Sequence, residues 1–280
     1  MSEEMPYIPY GEEGAWKKRF EMTIPILLLI LVFVIVAAKM EWLVGVPVIG
    51  DLFKSPNTDV LIIGNDQNLV RTIETDVRRD LPVNTAVFNK SNLLAVSDCK
   101  RFAKYNMLIM TEGQDGDTIS LDRFTLECLR DFVGSGKPAI VIGQAGSDVI
   151  DSTGQSTGED GWSVLGFVPA VCKSPTACEN TSVSYTRLSM FVKDISHPIL
   201  SAFRDQIDFR SDSGQIKYYL VNPSQGNSIL DMEIVTGAES YRGTAMVDRT
   251  AGYGQGKVIY FAFHPSFYPP LLYNTIKYLR

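Results

Sequence analysis

Six side chains stand out as able to do chemistry: Asn65, Asp66, Glu112, Gln144, Trp162 and His264. Two are carboxylates, one is an imidazole, and carboxylate with imidazole is the usual pairing for general acid–base work. Such a pairing could move a proton for hydrolysis only if the side chains meet. The chain has only two histidines, His197 and His264. His197 precedes Pro198 and reads as a turn residue, while His264 ends an apolar segment and is the better candidate. Asn65, Asp66, Glu112 and Gln144 each follow a short apolar run, so all could reach one sheet edge. Trp162 lies in a long Gly-rich stretch and can either stack on a ligand or plug the core. The competing reading is that these groups cap helices and satisfy loop backbone.

The elements that must position them follow from hydropathy. Residues 59–64, 83–88, 105–111 and 138–143 are short apolar runs, each suited to a strand buried on both faces. Leu69, Ile73 and Val77 repeat every four residues and predict a helix ended by Pro82. A short helix is expected near 98–103. Another follows from Thr118 or Ser120 to about Val133, stopped by Gly134 and Gly136. Strand–helix alternation of this kind predicts an α/β fold. The expected form is flavodoxin-like and doubly wound, with a mostly parallel sheet. Its strand-end loops 65–67, 112–117 and 144–148 then share one edge. Beyond a Gly/Ser/Thr-rich stretch at 144–180, the alternating segments 182–193, 216–221, 232–236, 244–248 and 257–263 predict added antiparallel or mixed strands. Residues 269–280 read as a closing helix that buries Leu271, Leu272, Ile276 and Leu279.

Upstream of this domain, residues 22–41 predict a transmembrane helix. Positions 22–38 hold no charge and only one polar side chain, Thr23, which is near the lower limit for a span. Lys17, Lys18 and Arg19 precede the run and place the N-terminal tail in the cytoplasm. The division is then a cytoplasmic tail at 1–21, a single-pass anchor at 22–41, a connector at 42–57 and an extracytoplasmic domain at 58–280. A cleaved signal ending at Val36-Ala37-Ala38 is the rival, and it too would export the domain.

The net charge of −6 argues against nucleic acid as a partner. The four cysteines are Cys99, Cys128, Cys172 and Cys178. Their spacing does not suit zinc, and neither a metal nor a cofactor is expected. Cys172 and Cys178 bracket a polar loop and predict a local disulfide outside the cytoplasm. Cys128 sits on an apolar helix stripe and reads as a buried thiol, within reach of Cys99 only if their helices are neighbours. Asn89 and Asn180 begin glycosylation sequons. Gly252 to Gly256 precedes a strand rather than a helix, so it reads as a hairpin turn and not a phosphate cradle.

Four passages together resemble the class I glutamine amidotransferase-like superfamily, especially its ThuA-like branch. They are residues 102–110, the helix end and strand at 129–146, Ser196-His197-Pro198-Ile199-Leu200, and 254–265. The resemblance spans roughly residues 58–280. It implies a nucleophilic Cys on the turn after the fourth strand, with a His base nearby. Here that turn is Ile142-Gly143-Gln144-Ala145-Gly146, with no Cys, Ser or Thr, and Gln144 is the nearest side chain. His264 is followed by Pro265, and no Glu two residues later completes a triad. The resemblance therefore carries the fold and not the activity. The expected function is a membrane-anchored, non-catalytic binding or scaffold domain with a protein partner in an envelope complex. Alternatives are a hydrolase with a relocated site, and a structural cell-surface subunit that forms homo-oligomers.

Overall fold

The computed structural model describes residues 57–89, 98–112, 120–172, 182–237, 239–250 and 255–280. The apolar run 22–38, the sequon at Asn180 and Cys178 lie outside the described residues. Among the described residues no helix is long and apolar enough to cross a membrane.

Five strands run parallel. They are β1 (Thr58–Ile63), β2 (Val83–Phe88), β3 (Met107–Met110), β5 (Ala139–Ile142) and β14 (Val258–Phe261), paired in the order β2-β1-β3-β5-β14. Every side chain of β3, β5 and β14 is buried, because layers cover both sheet faces. Four antiparallel strands continue the sheet beyond β14: β13 (Glu239–Arg249), β12 (Asn227–Thr236), β9 (Ser182–Val192) and β10 (Gln206–Lys217). The result is a nine-stranded mixed sheet, half of whose pairings are parallel.

Helix α1 (Gln67–Thr72) starts at Asp66, whose side chain accepts the Leu69 N–H. It continues as a π turn, Ile73–Val77, so the expected long helix changes pitch midway. Leu69, Ile73 and Val77 are all fully buried, as their spacing requires. Helices α2 (Lys100–Ala103) and α3 (Arg123–Gly134) are joined by a Cys99–Cys128 disulfide. Cys128 is therefore not the buried thiol its stripe position predicts. It is buried, but the close approach of α2 to α3 pairs it. A loop of this length closed by a disulfide is worth about 3–4 kcal/mol. Cys172 is also disulfide-bonded.

The stretch expected as loop at 144–180 carries more order than its Gly and Ser content suggests. β6 (Asp148–Ile150) pairs with β4 (Leu121–Asp122) and with β7 (Ser156–Asp160). Helix α4 (Gly161–Leu165) follows, capped by Asp160 and closed by Gly166 at φ 64. β8 (Ala170–Cys172) pairs with β11 (Val221–Pro223). β10 also begins ten residues before the expected Ile216. Its alternation is broken by an irregularity between Arg210 and Gly214, which hides the period in the sequence. Helix α5 (Pro269–Leu279) closes the domain and buries Leu271, Leu272, Ile276 and Leu279.

Candidate functional site

The parallel strands deliver their carboxyl ends to one edge. The two strands at the centre of the reversal in strand order, β1 and β3, place Asp66 and Thr111–Glu112 side by side there. That crevice is where open α/β sheets bind ligands. β5 adds Gln144 and β14 adds His264.

Asp66 is 4% exposed and fully engaged. Oδ1 accepts the Leu69 N–H at 2.9 Å. Oδ2 accepts the Thr111 hydroxyl at 3.0 Å and the Nε2 of His264. Burial alone would raise the Asp66 carboxyl. The bond and charge of His264, with the Leu69 and Thr111 donors, outweigh it and hold the group below the usual carboxylate range. The other imidazole nitrogen, Nδ1, accepts the Ser266 N–H at 3.3 Å. An acceptor nitrogen carries no proton, so in the neutral ring the bonding assigns the Nε2–H tautomer. A general base needs one nitrogen free to face its proton donor. Here both are committed.

Glu112 is 6% exposed and forms the second half of the site. Oε1 accepts the Gln144 backbone N–H at 2.6 Å. Oε2 accepts the Tyr219 hydroxyl at 2.6 Å and pairs with Lys217 Nζ. Burial, then the neighbouring Glu112 charge, pushes the Tyr219 hydroxyl far above its ordinary range, so it remains a donor. The Thr111 hydroxyl also lies 3.3 Å from the Glu112 carbonyl, which ties the two halves together.

The turn after β5 is sharp. Gly143 has φ +60, a region that favours glycine. A Cβ there would lie 1.5 Å from Glu112 Oε1 and 2.8 Å from Tyr219 Cε2. The space that a side chain at position 143 would need is thus filled by the Glu112 carboxylate. The Gln144 N–H, a backbone donor of the kind that stabilises an oxyanion, is consumed by the same group.

The remaining sequence candidates fall elsewhere. Asn65 is exposed beside Asp66. Trp162 is 7% exposed, donates Nε1–H to the Ala145 carbonyl at 3.1 Å and packs edge-on against Tyr260. It plugs the core behind the turn. Asn89 is exposed at the end of β2. Sequence reasoning missed Thr111, Lys217 and Tyr219. Lys217 and Tyr219 lie more than a hundred residues from Glu112. They reach it because the chain leaving β10 runs beside the end of β14, where Tyr218 pairs with Phe263 and the Tyr219 N–H donates to the Ala262 carbonyl. Their one signal is spacing: residues two apart in an extended segment share a face.

His197, expected in a turn, is 9% exposed and forms a second pair. Its Nε2 donates to Asp248 Oδ2 at 2.9 Å and its Nδ1 accepts the Ile199 N–H at 3.3 Å. Tyr278 adds a hydroxyl contact to the same Asp248 oxygen at 3.4 Å. Among the described residues no group of three or more His, Cys, Asp or Glu side chains is placed to hold a metal ion.

Neither a family model nor a curated protein sequence matches the chain. Among solved structures, a ThuA-like protein from Bacteroides uniformis is similar over 81% of this chain and 92% of its own, with a TM-score of 0.51 and 10% identity. A beta-galactosidase from Bacillus circulans sp. alkalophilus is similar over 78% of this chain, with a TM-score of 0.50 and 10% identity. One from Rahnella sp. R3 is similar over 80%, with a TM-score of 0.50 and 12% identity. The chain spans 30% and 32% of those two galactosidases. At such identities the likeness is one of fold, and the fold it shares with the ThuA-like protein is the one the sequence resemblance implies.

Proposed function

We propose that this chain is a divergent glutamine amidotransferase-like domain that binds or scaffolds a protein partner in an envelope complex, held to the membrane by residues 22–41 and facing outward. The observation that carries the non-catalytic part is the filling of the elbow by Glu112. A nucleophile needs an exposed side chain above the strand end and a base beside it. Position 143 has no room for a side chain, and both nitrogens of His264 are bonded. The Cys99–Cys128 disulfide supports the outward orientation, since disulfides persist mainly in oxidising compartments. A hydrolase with a relocated site is the second reading. It draws on the Asp66–His264 pair, whose imidazole side chain is 33% exposed at the sheet edge.

The test is extraction of the full chain from its native membrane in mild detergent, followed by affinity capture and by assay against ester, amide and glycoside substrates. A stable stoichiometric partner that survives Glu112→Gln and His264→Ala, with no turnover, is expected. Turnover that His264→Ala abolishes would overturn the proposal in favour of the hydrolase.

A further inference from the structure

Three donors of different origin converge on one carboxylate. The Gln144 N–H comes from the turn after β5. The Tyr219 hydroxyl and Lys217 Nζ come from the far end of β10 and the residues after it. A cation, a hydroxyl and a backbone amide aimed at a single point are what a protein uses to hold an anionic oxygen pair. Gly143, lacking a Cβ, leaves the space in which that anion sits. Two of the three donors are open to one side, the Lys217 side chain being 24% exposed and Gln144 half-buried, while Tyr219 is buried behind them. Glu112 is tethered to β3 by a backbone separate from all three donors.

We infer that Gln144 N–H, Tyr219 and Lys217 form a carboxylate-binding site that the chain occupies with its own Glu112 side chain. The ligand class is a small monocarboxylate, and the tethered Glu112 excludes it. A side chain held in place competes at a high effective concentration. Free carboxylates therefore bind only when Glu112 is cut back.

The experiment compares full-length wild type, Glu112→Ala and Glu112→Gln by thermal denaturation in sodium acetate and in sodium chloride at matched ionic strength. With acetate at about ten times its Kd, the Tm of Glu112→Ala should rise by about 3–5 °C over chloride. Wild type should show no acetate-specific shift. Glu112→Gln should show none either, because its amide blocks the site. Adding Lys217→Met to Glu112→Ala should remove the acetate response. Equal Tm values for Glu112→Ala in the two salts would overturn the inference. If Glu112→Ala does not fold, a double-mutant cycle between Glu112→Gln and Lys217→Met decides. Coupling of tenfold or more in the folding equilibrium supports the site, and additivity overturns it. Loss of the acetate effect would leave the scaffold proposal standing. Discovery of turnover would end that proposal without touching the anion site.

Discussion

Glu112 Oε1 lies where the first side-chain atom of residue 143 would have to be, 1.5 Å from an ideal Cβ built on Gly143. The two residues come from adjacent parallel strands, β3 and β5. Each explains the other: a carboxylate can enter the turn only if the turn is glycine, and glycine tolerates the positive φ at no cost.

Gly143→Ala should therefore be costly. A left-handed backbone adds about 1–2 kcal/mol for a residue with a Cβ, and overpacking adds about 1–3 kcal/mol. Urea unfolding should show a loss of about 2–5 kcal/mol. Combining Gly143→Ala with Glu112→Gly should recover part of the steric component, so the two substitutions should be non-additive. A neutral Gly143→Ala would show that the turn is not held as described.

Much of the parallel half is legible in the sequence. Continuous apolar runs mark β1, β3 and β5, and the four-residue repeat of Leu69, Ile73 and Val77 marks the buried face of α1. The order of the runs places Asp66, Glu112, Gln144 and His264 on a common edge, and the structure joins them as two coupled pairs. The donors Lys217 and Tyr219 are not legible, because side-chain contacts across more than a hundred residues leave no local trace. The irregularity between Arg210 and Gly214 conceals most of β10. Nor does composition reveal β6, β7 and α4, whose capping residues Asp160 and Gly166 lie in a stretch that looks like loop.

Asp66 gives the site an acid sensitivity. Its carboxyl is held below the usual range in the folded state, against roughly 3.9 when unfolded. A depressed folded value contributes stability that is present above the unfolded pKa and lost as pH falls through the folded one. Stability should thus be flat in this respect above about pH 5 and fall below about pH 4. Asp66→Asn should lower stability at neutral pH by about 2–4 kcal/mol, since it disturbs a buried charged acceptor, and should flatten the acid limb. A wild-type and an Asp66→Asn profile that run parallel from pH 6 to pH 3 would refute this.

The Cys99–Cys128 bridge ties α2 to α3 over a 29-residue separation. The pair Cys99→Ala and Cys128→Ala should cost about 3–4 kcal/mol, and reduction, which also opens the Cys172 disulfide, should cost at least as much. Intact mass measured with and without reductant reads the bridge directly. Full-length protein isolated with Cys99 and Cys128 both alkylated before reduction would remove the bridge and, with it, the support for an oxidising compartment.

The two histidines make the sharpest check on chemistry. His197 and His264 each precede a proline, each accepts on Nδ1 the N–H of the residue two positions on, and each donates Nε2–H to a buried aspartate. Because the chain has no other histidine, long-range nitrogen–proton correlation spectra of the full chain need assign only two rings. Both should report the Nε2–H tautomer at neutral pH. Asp248→Asn should perturb the His197 ring and leave His264 unchanged, with Asp66→Asn doing the reverse. A His264 ring with Nε2–H still on Asp66 but with Nδ1 unprotonated and released from the Ser266 N–H would supply the general base that the present geometry withholds. The Asp66–His264 pair would then be an acid–base dyad, and hydrolysis rather than scaffolding would follow.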